Sequence, residues 1–289
     1  MKQQTSIIHR WKTSSPSVQL RWQTIGLLAF GILSQVLCAQ IASSGDLDVY
    51  GRHILVCLIL GAAVYGIVRL LMHRHWILKT LMAILGIVMV GSNLILLLSL
   101  GLAASLEDLR RVEYVDLNDV LHADTAQVSL ELLGKCHLVG QGDPFFEYPD
   151  PEEVDTSSFE NRTLYNLSLR ERNRAEAVFG RFRQTAVLPV LNYSYGLWVL
   201  ALYILLGWKW SIAAGKTIPA ISSRWHRGLF IGIGLVPAFM ILAPVLSAFG
   251  LLPLLLPHPF STNEAVNLLF IVPQLAAMLA MADSQCANR

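Results

Sequence analysis

Residues 80–104 read TLMAILGIVMVGSNLILLLSLGLAA, without a single Lys, Arg, Asp or Glu. A bilayer core about 30 Å thick takes roughly 20 apolar residues of helix, so this stretch is long enough to cross. In hydrocarbon every backbone N–H and C=O must be satisfied inside the segment, which makes the stretch a helix and not a lone strand. Working outward, five further runs have the same character but for Arg69 near the end of the second: Trp22–Ala42, Ile54–Met72, Ala186–Trp208, Leu229–Gly250 and Ala265–Ala282. The last is the shortest.

The expected fold is therefore an all-α polytopic membrane protein. Six transmembrane helices in a 3+3 plan would flank a small extracytoplasmic domain, mixed α/β or mainly helical, inserted between helices three and four. The chain divides into a cytoplasmic N-terminal segment (1–21), spans one to three (22–104), the inserted domain (105–185), spans four to six (186–282) and a cytoplasmic tail (283–289). A mean hydropathy of +0.51 with 15% charged residues agrees with this class. The first run follows a long polar leader. The residues before Cys38 also lack the small residue that precedes a lipid-attachment cysteine. It reads as a retained helix and not a cleaved signal.

The charges sort by sign. Lys2, Arg10, Lys12 and Arg21, then Arg69, Arg74 and Lys79, then Lys209, Lys216, Arg224 and Arg227 lie at one set of span ends with no acid among them. Short basic loops face the cytoplasm, so both termini are expected there, in a plasma or bacterial inner membrane. Trp11, Trp22, Trp76, Trp208, Trp210 and Trp225 fall near the same boundary, with Trp198 apart from them. The segment 105–185 holds 16 acids and 9 bases. Its first part, to Glu160, is acidic, with a strand expected over Gln127–Leu132, where apolar and polar residues alternate. Its second part is basic. There a helix running into span four would carry Arg162, Arg170, Arg172, Arg174, Arg181 and Arg183. These arginines dock on the acidic half or bind an anionic partner. Asn161 and Asn166 head glycosylation triplets.

Within the spans the polar residues are amides: Gln35, Asn93, Asn192, Asn267 and Gln274. Proton relays, ion paths and voltage sensors use buried ionisable groups, and none is present. A carrier with a carboxylate relay is thereby disfavoured, and the amides are expected to hydrogen-bond between helices. Small-xxx-small pairs mark close helix contacts: Ala62 with Gly66, Gly228 with Gly232, and Ala276 with Ala280. Pro237, Pro244 and Pro273 kink spans five and six. The segment Leu251–Phe260, LLPLLLPHPF, cannot be a regular helix and is expected at the outer interface. Ser261 and Glu264 are spaced as a capping box for span six. Cys38 and Cys57 lie at similar depth on the first hairpin and read as two buried thiols.

No Gly-rich phosphate loop, GxSxG, HExxH or zinc-ligand spacing occurs, so no catalytic residue, metal or cofactor is assigned. An enzyme would require His53, His137 and His258 to converge. In layout the plan is similar to the permease subunits of envelope lipid exporters, an analogy of architecture without a shared motif. The expected function is a non-enzymatic membrane subunit of a multiprotein envelope assembly, acting through its external domain. A transporter or channel component for a lipid or other apolar cargo is the alternative. Expected partners are the bilayer, other membrane or envelope proteins and a second copy of the chain, with no nucleic acid.

Overall fold

The computed structural model describes residues 15–42, 47–72, 76–113, 130, 133–134, 136–140, 188–252, 256, 258–261 and 266–286. Among these every regular element is helical: α1 (Pro16–Ala42), α2 (Leu47–Leu71), α3 (Trp76–Glu113), α4 (Leu188–Tyr195), α5 (Trp198–Ala220), α6 (Arg224–Ala248), a π-helical turn (Asn267–Ile271) and α7 (Val272–Cys286). Six of the helical segments are long and apolar enough to cross a membrane. The chain is a multi-pass membrane protein by that measure. The expected strand, five of its six residues, the six arginines, Asn161, Asn166 and Glu264 lie outside the described residues.

The bundle is built around its last two spans. In their most apolar 18-residue stretches, 56% of α6 and 61% of the span containing α7 are buried, against 22% of α2. The reason is in the sequence. The α7 face carries Ala276, Ala277, Ala280 and Ala282, all buried, so neighbouring helices approach closely. The α2 face carries Leu55, Val56, Leu58 and Ile59, half or more exposed, as expected where lipid is the solvent. Hydroxyls inside the helices bond back to the preceding turn: Ser34 Oγ to Phe30 O at 2.7 Å and Thr217 Oγ1 to Ala213 O at 2.8 Å. This removes an unpaired donor without any partner helix.

Span four departs from expectation. The apolar run Ala186–Trp208 is broken at Gly196, whose φ is +109°. A Cβ there would collide with the Leu138 carbonyl. The Leu197 N–H is drawn to His137 O at 3.0 Å, so the inserted segment's own backbone competes with the helix. Beyond the break α5 runs on to Ala220, which places Lys209 and Lys216 on a helix and not in a loop, both exposed. The connection to α6 shrinks to Ile221–Ser223, with Ser223 as N-cap. Trp210 is buried and donates Nε1 to Thr24 Oγ1 at 3.2 Å, tying α5 to the start of α1. Helix α3 runs past the apolar stretch and continues through Glu113.

Candidate functional site

Three places in the bundle concentrate polar side chains. The first is the junction of α3, α6 and α7. Pro237 has no N–H, so the carbonyl four residues earlier, on Ile233, loses its helical donor. Asn93 of α3 supplies one. Its Nδ2 donates to Gly232 O at 3.0 Å and lies 3.4 Å from Ile233 O. Its Oδ1 accepts from Gln274 Nε2 of α7. Both amides are buried. Beside this junction a cleft of about 390 Å³ is lined by α2, α3, the π turn and the start of α7, including Val64, Val88, Phe270 and Pro273. The π turn lies immediately before Pro273, whose ring crowds the preceding turn. A widened turn is one way to relieve that.

The second place is the connection between α6 and α7. Pro259 and Phe260 insert against α1, where a Cβ on Gly31 would sit 2.7 Å from both Pro259 O and Phe260 Cβ. Phe260 has φ +66°, uncommon for a residue with a side chain. Its backbone is held at both polar atoms: Tyr50 Oη donates to its carbonyl at 2.6 Å, and its N–H donates to Asn267 Oδ1 at 3.2 Å. His258 is 1% exposed and packs at ring distances of 5.1 Å from Phe30 and 5.3 Å from Tyr203. Burial among these rings pushes its pKa down to about 3, so the imidazole is neutral at ordinary pH. The segment expected at the interface is thus, at His258–Ser261, a buried plug.

The third place is the opposite end, where α1 starts and α2 and α7 finish. Arg21 pairs with Asp283. Tyr65 Oη donates to Asp283 Oδ2 at 2.7 Å, and Arg69 Nη1 reaches Tyr65 Oη at 3.3 Å. Ser222 Oγ and Gln285 Oε1 meet at 2.7 Å nearby. The start of α1 and the end of α7 are therefore together at one end. From this cluster a groove of about 300 Å³ runs between α1, α2 and α7 to Phe260, walled almost wholly by apolar side chains.

The small-residue pairs fall in different surroundings. Ala276 and Ala280 are buried. Gly232 is half-buried, and a Cβ there would lie 2.9 Å from Val90 of α3. Ala62, Gly66 and Gly228 are exposed, with nothing among the described residues within 4 Å of a Cβ on either glycine. Cys57 is free and buried, and the side chain of Cys38 lies outside the described residues. His53 and His258 are buried and His137 is exposed. Among the described residues no three His, Cys, Asp or Glu gather as they would around a metal, so the three histidines do not converge. Cys136, in the inserted segment, is half-buried with its thiol pushed up to about 11 by burial, so it is not a thiolate nucleophile at neutral pH.

The Arg21–Asp283 pair was not read from the sequence. The available signal was an even number of spans, which brings a basic residue near the start of the first span and the last acidic residue to one end. No family model, curated protein or solved structure matches the chain.

Proposed function

We propose that the protein is a non-enzymatic integral membrane subunit of a multiprotein envelope assembly. The observation that carries this reading is the small-residue face of α2, where Ala62 and Gly66 are exposed and no atom of the described residues lies within 4 Å of a Cβ on Gly66. Small residues elsewhere in the bundle serve close approach: Gly31 meets Phe260, Gly207 meets Ile241, and Gly232 meets Val90. Helix association in lipid relies on such faces, since apolar surface alone gives no drive. A partner helix on α2 completes the pattern. The 105–185 segment, with arginines 162, 170, 172, 174, 181 and 183, makes the contact outside the membrane, and the basic loops set both termini inside. Purification from mild detergent tests the reading. A co-purifying membrane protein, lost in Gly66→Leu, is expected. A lone, stable monomer under all conditions would overturn it.

A second reading is a transport component for a lipid or other apolar cargo. It is favoured by the two apolar recesses on either side of α2 and by the uncharged spans.

A further inference from the structure

The groove between α1, α2 and α7 combines an apolar trough with charge at one end. Its walls are Ile25 and Leu28 from α1, Leu58 from α2, and Val272, Leu275 and Leu279 from α7. Arg21 stands at the mouth, and Arg69 lies one helical turn beyond Tyr65. The two guanidiniums share one carboxylate, Asp283, which Arg21 contacts directly and Arg69 reaches through the Tyr65 hydroxyl. The cluster therefore keeps one positive charge in excess at the end of an apolar trough.

Dimensions select the occupant. From Arg21 to Leu28 and from Cys57 to Tyr65 the groove runs roughly 10–12 Å at 1.5 Å per residue. At about 300 Å³ the groove holds far less than a helix of that length, which is about 10–12 Å across. A hydrocarbon chain, whose carbons touch at roughly 4 Å, fits it.

We propose that this groove holds one acyl chain of an anionic phospholipid, with the phosphate seated on Arg21 and Arg69. The chain replaces loose bilayer contacts with fixed side-chain walls. The phosphate takes up the excess charge that Asp283 leaves, and Arg offers the paired donors that suit phosphate oxygens. Ala62 of the small-residue face also lines the groove, but Gly66, on which the assembly reading turns, does not.

The test is native mass spectrometry of the purified full-length chain, titrated with a phosphatidylglycerol, with a phosphatidylcholine of the same acyl chains, and with inorganic phosphate. One phosphatidylglycerol per chain is expected to bind at least tenfold tighter than phosphatidylcholine, with no binding of phosphate alone. Arg69→Gln is expected to bring the two lipids within threefold of each other. Leu58→Trp, which fills the groove from an exposed position on α2, is expected to abolish the tight site for both. Ile25→Trp, also exposed, does the same from α1 and serves if the first variant does not fold. Equal binding of the two lipids to the unaltered chain overturns the proposal. So does an intact phosphatidylglycerol site in both tryptophan variants, saturation by phosphate alone, or crosslinking of Leu58→Cys to a helix of another protein seated in the groove.

Discussion

The Nδ2 of Asn93 on α3 lies 3.4 Å from the carbonyl oxygen of Ile233 on α6, the carbonyl that Pro237 deprives of its backbone donor. The same amide bonds Gly232 O at 3.0 Å. An amide and a proline on different helices thus form one unit. Asn93→Leu should lower the unfolding free energy by about 1–2 kcal/mol, the range for interhelical hydrogen bonds in membranes plus an orphaned carbonyl. In a Pro237→Ala background the Ala N–H can take the Ile233 carbonyl, so the same change should cost less. Thermal unfolding of the two single variants and the double variant in one detergent measures the coupling. Strict additivity, within about 0.5 kcal/mol, would refute the link.

This pair also shows what the sequence makes legible. An Asn in an apolar run and a Pro in another each announce an unsatisfied polar group, and both must find partners. Which Asn serves which Pro depends on the rotation of two helices about their axes, and no periodicity records that. The spans were legible because about 20 uncharged apolar residues have few other uses. The end of span four was not, because Lys209 and Lys216 suggest a loop while their long stems let a helix continue with the ammonium groups outward. The break at Gly196 was hidden too, since its cause is a carbonyl on His137. Of the grooved site, Arg21 and Arg69 were visible as boundary charges. Their convergence on Asp283 required the fold.

Gly31 should tolerate no side chain. Both Pro259 O and Phe260 Cβ would lie 2.7 Å from its Cβ, and Phe260 is fixed by Tyr50 and Asn267. A methyl here forces the plug outward. Gly31→Ala should destabilise by about 1–3 kcal/mol, as overpacking does, whereas Gly51→Ala, with no described atom within 4 Å of its Cβ, should not. Comparing their melting temperatures decides the matter, and equal values would contradict the seated plug.

His258 should make the bundle acid-sensitive. Its folded pKa is about 3, below the ordinary 6.5, because burial disfavours the imidazolium. Between those values the unfolded chain binds a proton that the folded one refuses, so stability rises with pH. The contribution is fully present above pH 6.5 and is lost as pH falls toward 3. At pH 5 the loss relative to pH 8 should be about 2 kcal/mol. His258→Phe should flatten this slope while keeping the ring contacts with Phe30 and Tyr203. Denaturation profiles at several pH values would expose an unchanged slope, and that result would place the titration elsewhere.

Two small residues on facing sides of the packing problem should answer oppositely to enlargement. Ala280 on α7 is fully buried, in the helix that packs most extensively on α2. Ala280→Leu adds three heavy atoms where none fit and should destabilise the isolated protein by about 1–3 kcal/mol. Gly66 on α2 is exposed, and no atom of the described residues lies within 4 Å of a Cβ placed there. Gly66→Leu should leave the melting temperature of the detergent-purified monomer unchanged or slightly higher, because glycine is a poor helix former relative to leucine. Any loss it causes should appear only in association, as a partner that no longer co-purifies. A drop in monomer stability equal to that of Ala280→Leu would mean that the Gly66 face is already covered within the chain, and the assembly reading would lose its support.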